Sequence, residues 1–431
     1  MELNDKDIVI VGYARSAIGD FLGGLKDVSL VDLSTTVAKA AMERAGVKPE
    51  DVDELGMGCI YKHGNGGNPG RQVEIKCGIP AEAWAYTVDQ QCASGMKALD
   101  IVRRSLLTDG CELAVVVGAD VMSRAPYLCL NGRTGFRMGD VKMVDALTKE
   151  GLSCAIAGYH MGVTAENLAD KYNISRQEQD ELALMSHQRA IAAIDSGRGK
   201  QDIVPIEIKT RKGVTVFDTD EHPRRDVSLE SMAKLRPAFK PDGGTVTAGN
   251  ASGINDGACA MVVTTARYAK EHGLKPIARV LAVESKGVPA EVMGIGPAYV
   301  IPKALEKAGL TADAIDYYEI NEAFAAQFLA CNRELKLSMD KVNRNGSGIG
   351  LGHPVGMTGA RIITACISEM IASGEQYGVA SLCAEYCKKD PCPQLRTRIS
   401  FCVCFFTAPR CPEKRFLRRR SYTRCRRSHS G

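Results

Sequence analysis

Two patterns of apolar residues alternate along the chain. Short continuous apolar runs, such as the run from Ile8 to Tyr13, are typical of buried strands. The segment from Leu30 to Ala45 instead spaces its apolar residues at helical intervals, and Gly46 follows it as an expected C-terminal glycine. A further strand is predicted near Leu55. This alternation predicts an α/β fold built around a parallel sheet.

Parts of the sequence occur twice along the chain. The sequence VAKAAMERAGVKPEDVD from Val37 to Asp53 is similar to VIPKALEKAGLTADAID from Val300 to Asp316, at an offset of 263 residues. A second pair of segments, Ser94–Ala98 and Thr358–Ile362, repeats at an offset of 264 residues. We therefore predict two duplicated α/β halves that pack as pseudo-symmetric partners.

A segment of different character separates the parts of the first half. It is rich in loops and then predicts two helices, Thr164–Tyr172 and Arg176–Ser196. Ser175 and Glu178 form a capping-box pattern at the start of the second helix. We interpret residues 123–250 as an insertion in an N-terminal half formed by residues 1–122 and 251–272, followed by a C-terminal half over residues 273–383.

Residues 384–431 form a tail of different composition. They contain 13 Lys and Arg residues against 3 Asp and Glu residues, a net charge of +10, whereas the whole chain carries +4. Six of the 16 cysteines also lie in this tail, and we find no helical or alternating period in it. We assign the tail no structure and interpret it as disordered or as the product of a reading-frame shift.

Length and composition limit the classes of protein that the chain can represent. With 431 residues and 45% hydrophobic content, it is long enough for two or three packed domains. No apolar run approaches the roughly 20 residues of a membrane-spanning helix. The polar, acidic start resembles neither a signal nor a transit peptide, and the ten earlier cysteines lack metal-site spacing. We therefore expect a cytoplasmic protein with reduced thiols and no bound metal.

Cys92 is the best candidate for a nucleophile. It lies between an apolar strand and a helix whose first turn contains small residues. The positive end of a helix dipole and free backbone N–H groups favour a thiolate at such a position. The alternative interpretation is a buried structural cysteine at the end of a strand.

Three further groups are placed where predicted strands end. His353 lies in a glycine-rich loop before a helix and could exchange protons or, alternatively, be incidental to a phosphate-binding loop. Asn321 follows a strand and could instead be a helix N-cap, and Cys383 ends the strand Gly378–Leu382 and could belong to the core. Because ligands bind at the edge where the strands of an α/β sheet end, the four groups together predict a site.

These segments resemble the thiolase family, in particular its biosynthetic acetyl-CoA acetyltransferases, over about residues 6–383. The similar motifs are the Cys92 segment, GYHMGVTAEN from Gly158, KLRPAF from Lys234, TAGNASGINDG from Thr247, NEAFA from Asn321 and GHPVG from Gly352. The resemblance implies the thiolase fold, with two duplicated halves in five α-β-α-β-α layers and an inserted loop domain. It also implies acyl transfer between acetyl-CoA molecules, which gives acetoacetyl-CoA and CoA without a metal or redox cofactor.

The resemblance also assigns roles to the four candidate groups. Cys92 would carry the acetyl group as a thioester after His353 removes its proton. Cys383 would deprotonate the second acetyl-CoA. Asn321 would hold a water that, with His353, stabilises the enolate oxygen, and the backbone N–H of Cys92 would stabilise the tetrahedral intermediate.

The family's coenzyme A and acyl positions carry over to nine residues. Those for coenzyme A are Leu152, His160, Met161, Arg224, Ser231, Ala248 and Ser252, and those lining the acyl pocket are Met293 and Phe324. A tight glycine-rich turn is the alternative interpretation for Ala248 and Ser252. The segment Tyr127–Leu147 resembles the tetramerisation loop of biosynthetic members, so we expect a homotetramer or a homodimer.

The sequence departs from the family at three places. Asp89 replaces an asparagine and could raise the pKa of Cys92 if it lies close, and Asp120 alters a Gly-Gly-x-Glu pattern. After Cys383 the family continues with glycines and a last strand, whereas this chain has Glu385 and a basic tail. We therefore expect an unpaired sheet edge. The alternative hypotheses are a thiolase-fold protein of reduced activity and, in a lower rank, a tail that binds nucleic acid or an anionic membrane.

Overall fold

The computed structural model describes residues 3–108, 110–211 and 213–384, together with the backbone of residues 401–407. The strands are β1 (Ile8–Arg15), β2 (Gly19–Asp20), β3 (Glu54–Gly58), β4 (Trp84–Val88), β5 (Leu113–Val121), β6 (Tyr127–Leu128), β7 (Val144–Asp145), β8 (Ile206–Thr210), β9 (Gly213–Phe217), β10 (Asn255–Thr265), β11 (Ala278–Lys286), β12 (Tyr317–Ile320), β13 (Tyr377–Leu382) and β14 (Phe401–Thr407). The helices are α1 (Leu30–Ala45), α2 (Pro69–Cys77), α3 (Ser94–Thr108), α4 (Met161–Tyr172), α5 (Arg176–Asp195), α6 (Leu229–Ala233), α7 (Ala266–Glu271), α8 (Gly296–Ala308), α9 (Ala325–Leu335), α10 (Gly348–Leu351) and α11 (Val355–Ser373).

The four strands of the C-terminal half of the main sheet repeat the order of β3, β5, β10 and β1 among the five N-terminal strands. The N-terminal half has the order β4-β3-β5-β10-β1, and the C-terminal half has the order β12-β13-β14-β11. The two halves join where β1 and β11 pair antiparallel through residues 8–10 and 278–280. The repeated segments of the sequence thus form equivalent elements: α1 corresponds to α8, and α3 corresponds to α11.

The expectation of a parallel sheet is wrong for part of each half. β3 is parallel to β4 and β5, and β12 is parallel to β13, but β10 and β14 run antiparallel to their neighbours. β10 follows the long inserted segment instead of a crossover helix, so its connection does not require a parallel direction. The sheet is therefore mixed.

Helices cover the sheet on both sides, which gives the predicted five layers. α1 packs on β1, β5 and β10 at one outer face, while α8 packs on β11, β13 and β14 at the other. α11 lies between the halves and contacts β5 and β10 as well as β12 and β13, and α3 packs beside it. Of the described helices, α11 is the one long and apolar enough to cross a membrane, but 83% of that stretch is buried, as in a core helix.

Glycines allow α3 and α11 to cross at close range. A Cβ atom on Gly95 would lie 2.8 Å from the backbone nitrogen of Ala360, and one on Gly359 would lie 2.6 Å from that of Met96. Side chains at these two positions would therefore push the helices apart. Because both glycines lie in or near the first turns of their helices, the crossing brings together the chain segments that precede α3 and α11.

The inserted segment contributes α4, α5 and α6 and two small hairpins, β6–β7 and β8–β9, outside the main sheet. The predicted capping box at Ser175 and Glu178 is confirmed. The first helix begins at Met161, three residues before the predicted start, because the ring of His160 accepts a hydrogen bond from the backbone N–H of Gly162 and caps it. The domain boundaries at residues 122, 250 and 272 stay predictions.

The last strand corrects the expectation of an unpaired edge. β14 lies between β11 and β13 and pairs antiparallel with both. Its sequence, FCVCFFT, is a nearly continuous apolar run of the kind that suits a strand buried in a sheet. The interpretation that the tail has no structure is therefore wrong for residues 401–407. Our predictions for Glu385 and for disorder, a frame shift or binding by the basic tail concern residues 385–400 and 408–431, outside the described residues.

Candidate active site

Three of the four candidate groups meet at the ends of their elements. The Sγ atom of Cys92 lies 3.3 Å from Nε2 of His353, and the side-chain nitrogen of Asn321 lies 3.4 Å from the same Nε2. Asn321 and His353 are buried, whereas Cys92 is partly accessible. A partly exposed thiol beside a buried imidazole is the arrangement that nucleophilic catalysis by cysteine requires.

The turn that carries Cys92 is held by its own side chains. β4 ends at Val88 and α3 begins at Ser94, so Cys92 lies just before the helix. The hydroxyl of Ser94 donates to the carbonyl of Gln91 at 2.6 Å and accepts from the N–H of Gln90 at 2.9 Å. Gln91 has a left-handed backbone conformation, with φ of 50°. These features fix Cys92 at the positive end of α3.

The loop before α11 is fixed around His353. Gly352 has φ of 102°, and a Cβ atom there would lie 2.7 Å from the side chain of Asn255. The backbone N–H of His353 donates to Oδ1 of Asn255 at 2.9 Å. Glycine is therefore required at position 352 both by its backbone conformation and by the close approach of Asn255.

Thr358 determines which ring nitrogen of His353 carries the proton. The Thr358 hydroxyl donates its one hydrogen to the carbonyl of Pro354 at 2.9 Å and lies 2.6 Å from Nδ1 of His353. Nδ1 must then be the donor to the hydroxyl oxygen. Nε2 is left without a proton and can accept the proton of the Cys92 thiol.

Burial keeps His353 neutral. Burial, together with a smaller effect of the nearby positive charge of Arg361, lowers the pKa of His353 to about 3. Arg361 is itself buried and lies 2.9 Å from the carboxylate of Glu319. The imidazole is thus in its proton-accepting form throughout the neutral pH range.

Cys383 lies at the end of β13 and is fully buried. Cys383 lies two residues after Ser381, whose carbonyl accepts a hydrogen bond from the N–H of Asn321 at 3.0 Å. It shares a hydrophobic cluster with Met161, Met293 and Phe324. Burial raises the pKa of Cys383 to about 12, so this thiol is protonated at neutral pH. The alternative that Asn321 caps a helix is wrong, because α9 begins at Ala325 with Phe324 as its cap.

The predicted coenzyme A positions fall into groups. Arg224, Ser231 and Ala248 line one cavity of about 250 Å³. His187 and His222, which the sequence did not single out, line the same cavity. Burial and the charges of His222 and Arg224 lower the pKa of His187 to about 4.

The other predicted positions lie elsewhere on the inserted segment and the C-terminal half. His160 caps α4 and stacks on Phe239 at 4.6 Å between ring centroids, and Phe239 meets the edge of Phe324 at 6.0 Å. Leu152 packs against a small cluster that Cys92 also contacts. The backbone N–H of Ser252 donates to the carbonyl of Ala323 at 3.0 Å, which ties the TAGNAS segment to the NEAFA segment.

Asp89 and Asp120, the two departures from the family pattern that lie within the described residues, both have partners in the structure. The Asp89 carboxylate lies 3.3 Å from the ammonium of Lys62, which offsets its charge. Asp120 accepts hydrogen bonds from the N–H groups of Tyr61 at 3.0 Å and Gly356 at 2.6 Å, although burial still raises its pKa to about 6. The shorter carboxylate thus connects the segment after β3 to the first turn of α11.

Sequence models of known families match the chain in two consecutive parts. Residues 8–267 match the thiolase N-terminal domain, and residues 274–389 match the thiolase C-terminal domain. The chain belongs to the thiolase family.

Individual thiolases are similar over most of their length. The acetyl-CoA acetyltransferase of Syntrophomonas wolfei is 46% identical over 382 residues, which cover 88% of this chain and 96% of that protein. The acetyl-CoA acetyltransferase of Escherichia coli K12 is 46% identical over 379 residues, with the same coverage. The S. wolfei structure superposes with a TM-score of 0.88 over 95% of this chain and 100% of that chain. The structure of human mitochondrial 3-ketoacyl-CoA thiolase, at 37% identity, has a TM-score of 0.88 and covers 94% of this chain and 100% of that chain.

The structural similarity extends further along the chain than the sequence similarity. The S. wolfei structure covers 95% of this chain, whereas the sequence match to the same enzyme covers 88%.

Sequence reasoning missed several groups that hold the site. Thr358 lies five residues after His353 in the same motif, a spacing that could have indicated contact across the first turn of α11. Asn255 and Ser186 gave no such signal, because they contact the His353 loop from positions 98 and 164 residues away. Long-range contacts of this kind depend on the folded arrangement of both halves.

Proposed function

We propose that the chain is an acetyl-CoA C-acetyltransferase, which interconverts two acetyl-CoA molecules with acetoacetyl-CoA and CoA. The 3.3 Å approach of Cys92 Sγ to the unprotonated Nε2 of His353 is the observation that carries this proposal. Relatives at 45–46% identity that bear the name acetyl-CoA acetyltransferase support it.

The first half-reaction is acyl transfer to Cys92. The Cys92 thiol gives its proton to Nε2 of His353, and the thiolate attacks the carbonyl carbon of acetyl-CoA. The carbon–sulfur bond to CoA breaks, and the departing CoA thiolate takes the proton from His353. The backbone N–H of Cys92, at the start of α3, stabilises the oxyanion of the tetrahedral intermediate.

The second half-reaction forms the carbon–carbon bond. Cys383 first gives up its thiol proton. The resulting thiolate removes a proton from the methyl group of a second acetyl-CoA, and the carbanion attacks acetyl-Cys92. Acetoacetyl-CoA leaves, and the released Cys92 thiolate takes up the proton that Cys383 gave up before the condensation. In the cleavage direction Cys383 gives its proton to the departing acetyl-CoA carbanion, and the raised pKa of the buried thiol suits that starting state.

Asn321 stabilises the enolate through a water molecule. Its side-chain nitrogen is directed at Nε2 of His353, while its Oδ1 is buried and accepts no hydrogen bond from a described protein group. A buried carboxamide oxygen of this kind needs a donor, and a water beside the enolate oxygen provides one.

The binding of coenzyme A involves the inserted segment. Arg224 brings a positive charge to the cavity that Ser231 and Ala248 line, which suits the phosphates of coenzyme A. We infer that Leu152, His160, Met161 and Ser252 also contact coenzyme A. Met293 and Phe324, which share a hydrophobic cluster with Cys383, would line the acyl pocket. The reaction needs no metal or redox cofactor, because each proton has a protein acceptor.

The working form is a homotetramer in the cytoplasm. β4 ends the sheet order with Trp84 44% exposed, and it offers an unpaired edge, within the described residues, to a second subunit. The segment between residues 127 and 147 exposes Tyr127, Phe136 and Met138, an apolar surface that suits contact between dimers. Light scattering coupled to size-exclusion chromatography tests the assembly, and a monomer at micromolar concentration would contradict it.

Thiolysis of acetoacetyl-CoA by free CoA tests the activity. Purified full-length protein should consume acetoacetyl-CoA, and both Cys92→Ala and His353→Ala should lower the rate by at least about 1,000-fold. Folded wild-type protein without detectable turnover would contradict the proposal and favour a thiolase-fold protein of reduced activity.

A further inference from the structure

A buried polar junction lies beneath the loop that carries His353. The hydroxyl of Ser186, on α5 of the inserted segment, donates to Oε2 of Glu322 at 2.5 Å. The Oγ atom of Ser186 in turn accepts hydrogen bonds from the N–H of Gly350 at 2.9 Å and from the N–H of Ser347 at 3.3 Å. Ser186, Glu322 and Ser347 are each at most 2% exposed. One hydroxyl therefore joins α5 to the loop before His353 and to the segment after β12.

Glu322 is held on its other side as well. Its Oε1 accepts a hydrogen bond from the side-chain amide of Asn343 at 2.9 Å, and Asn343 also bonds the backbone of Ile320 at 2.7 and 2.8 Å. The carboxylate thus has a fixed position next to Asn321. Burial raises the pKa of Glu322, and the hydrogen bonds from Ser186 and Asn343 act in the opposite direction.

The loop packs on α5 without space for larger side chains. A Cβ atom on Gly350 would lie 2.4 Å from the backbone oxygen of Ser186, and one on Gly346 would lie 2.7 Å from it. α10 itself follows directly, and its last backbone bond joins the N–H of Gly352 to the carbonyl of Gly348 at 3.1 Å. His353 is the next residue, so a shift of α10 relative to α5 moves the imidazole relative to Cys92.

The residue after Ser186 faces the cavity that Arg224 lines. Nδ1 of His187 accepts a hydrogen bond from the backbone N–H of Arg224 at 3.3 Å. Consecutive residues of one helix therefore contact the candidate coenzyme A cavity and the candidate catalytic loop. α5 is a rigid element of 20 residues, and such an element can transmit the position of one site to the other.

We propose that Ser186 is a positioning residue, which holds the His353 loop at the distance from Cys92 that proton transfer requires and couples this loop to the inserted segment. The inference rests on the proposed function, because it gives His353 the role of base. It assigns Ser186 no contact with substrate.

Ser186→Ala tests the proposal, with Ser105→Ala as a matched control. Ser105 is a buried serine on α3 whose hydroxyl bonds only the carbonyl of Ile101 in its own helix among the described groups. The pH profile of Cys92 alkylation by iodoacetamide is the decisive readout, because it reports the Cys92–His353 pair without requiring turnover. For Ser186→Ala, we expect the alkylation rate at pH 7 and kcat for thiolysis to fall by about 10- to 100-fold, while the Kd for CoA changes less than about threefold.

Two results with the serine variants would overturn the proposal. One is a Ser186→Ala protein with the wild-type alkylation profile and kcat but a lower Tm, since this would make the role structural. The other is an equal loss of reactivity in Ser105→Ala. If Ser186→Ala does not fold, Glu322→Gln leaves a single acceptor oxygen for the two donors, Ser186 and Asn343, with little change in shape, and should shift the alkylation profile in the same direction. An unchanged profile in folded Glu322→Gln would also contradict the proposal. A wild-type protein that shows no thiolysis but whose profile still shifts in Ser186→Ala would contradict the proposed function alone.

Discussion

Thr358→Val removes one hydroxyl from the site and keeps the shape of the side chain. In the wild type, the Thr358 oxygen accepts the Nδ1 proton of His353 at 2.6 Å while its own proton goes to the carbonyl of Pro354. Valine can do neither. The buried Nδ1–H then lacks an acceptor, and the imidazole can move its proton to Nε2, where it blocks proton transfer from Cys92.

The expected effect follows from the cost of an unsatisfied buried donor. Such a group costs about 1–3 kcal/mol, and if the loss falls on the transition state it lowers kcat by about 5- to 150-fold. The free energy of unfolding should fall by a similar amount, because the buried Nδ1–H of His353 loses its acceptor in the folded protein; the Pro354 carbonyl keeps its bond from the backbone N–H of residue 358 at 3.0 Å. Thr358→Ser keeps the hydroxyl and should stay within about threefold of wild-type kcat.

Steady-state thiolysis of acetoacetyl-CoA and the rate of Cys92 alkylation measure the effect. Both should fall in Thr358→Val and be retained in Thr358→Ser. If Thr358→Val keeps wild-type kcat in folded protein, the hydroxyl does not set the His353 tautomer and the assignment of Nε2 as the acceptor is wrong.

Three further predictions follow from buried groups, helix contacts and the last strand. In the folded protein His187 has a pKa of about 4, whereas in the unfolded chain it has the ordinary histidine pKa of about 6.5, so the unfolded chain binds more protons and the folded state loses stability as pH falls from 7 to 5. In denaturant unfolding, wild type should lose about 2 kcal/mol of unfolding free energy relative to His187→Gln over this range. An equal pH dependence of the unfolding free energy in the two proteins would refute this. Gly95→Ala should lower the free energy of unfolding by about 1–3 kcal/mol in the same assay and should lower activity, because its Cβ would push α3 away from α11. Gly67→Ala, whose Cβ would have no atom within 4 Å, should leave stability and activity nearly unchanged. Equal effects of the two substitutions would contradict a close crossing of α3 and α11. Truncation after Ser400 removes β14 and should lower Tm or make the protein insoluble, while truncation after Thr407 should not; two equally stable products in thermal unfolding would show that β14 is dispensable.

Local signals predicted local structure well. The helix from Leu30 to Ala45 has its predicted ends, because the N-cap at Ser29 and the glycine at position 46 are encoded within the segment itself. The capping box at Ser175 was likewise recognisable. The start of α4 was misplaced because a histidine cap is not among the usual N-cap residues.

The parts that failed depend on distant partners. β14 is stabilised by its neighbours β11 and β13, and its place in the sheet could not be read from its own apolar run. The antiparallel direction of β10 is set by the connection that precedes it. At the site, Cys92 and His353 were singled out from their own segments, whereas their 3.3 Å approach depends on the crossing of α3 and α11.

The acetyl-enzyme is the most direct test of the central claim. Full-length protein would be incubated with acetyl-CoA, quenched in acid, digested and examined by mass spectrometry. The account predicts one acetyl group per chain on the peptide that contains Cys92, its loss on addition of CoA and its absence in Cys92→Ser. Stable acetylation of Cys383 with none on Cys92, or no acetylation of folded protein that had bound acetyl-CoA, would contradict the account.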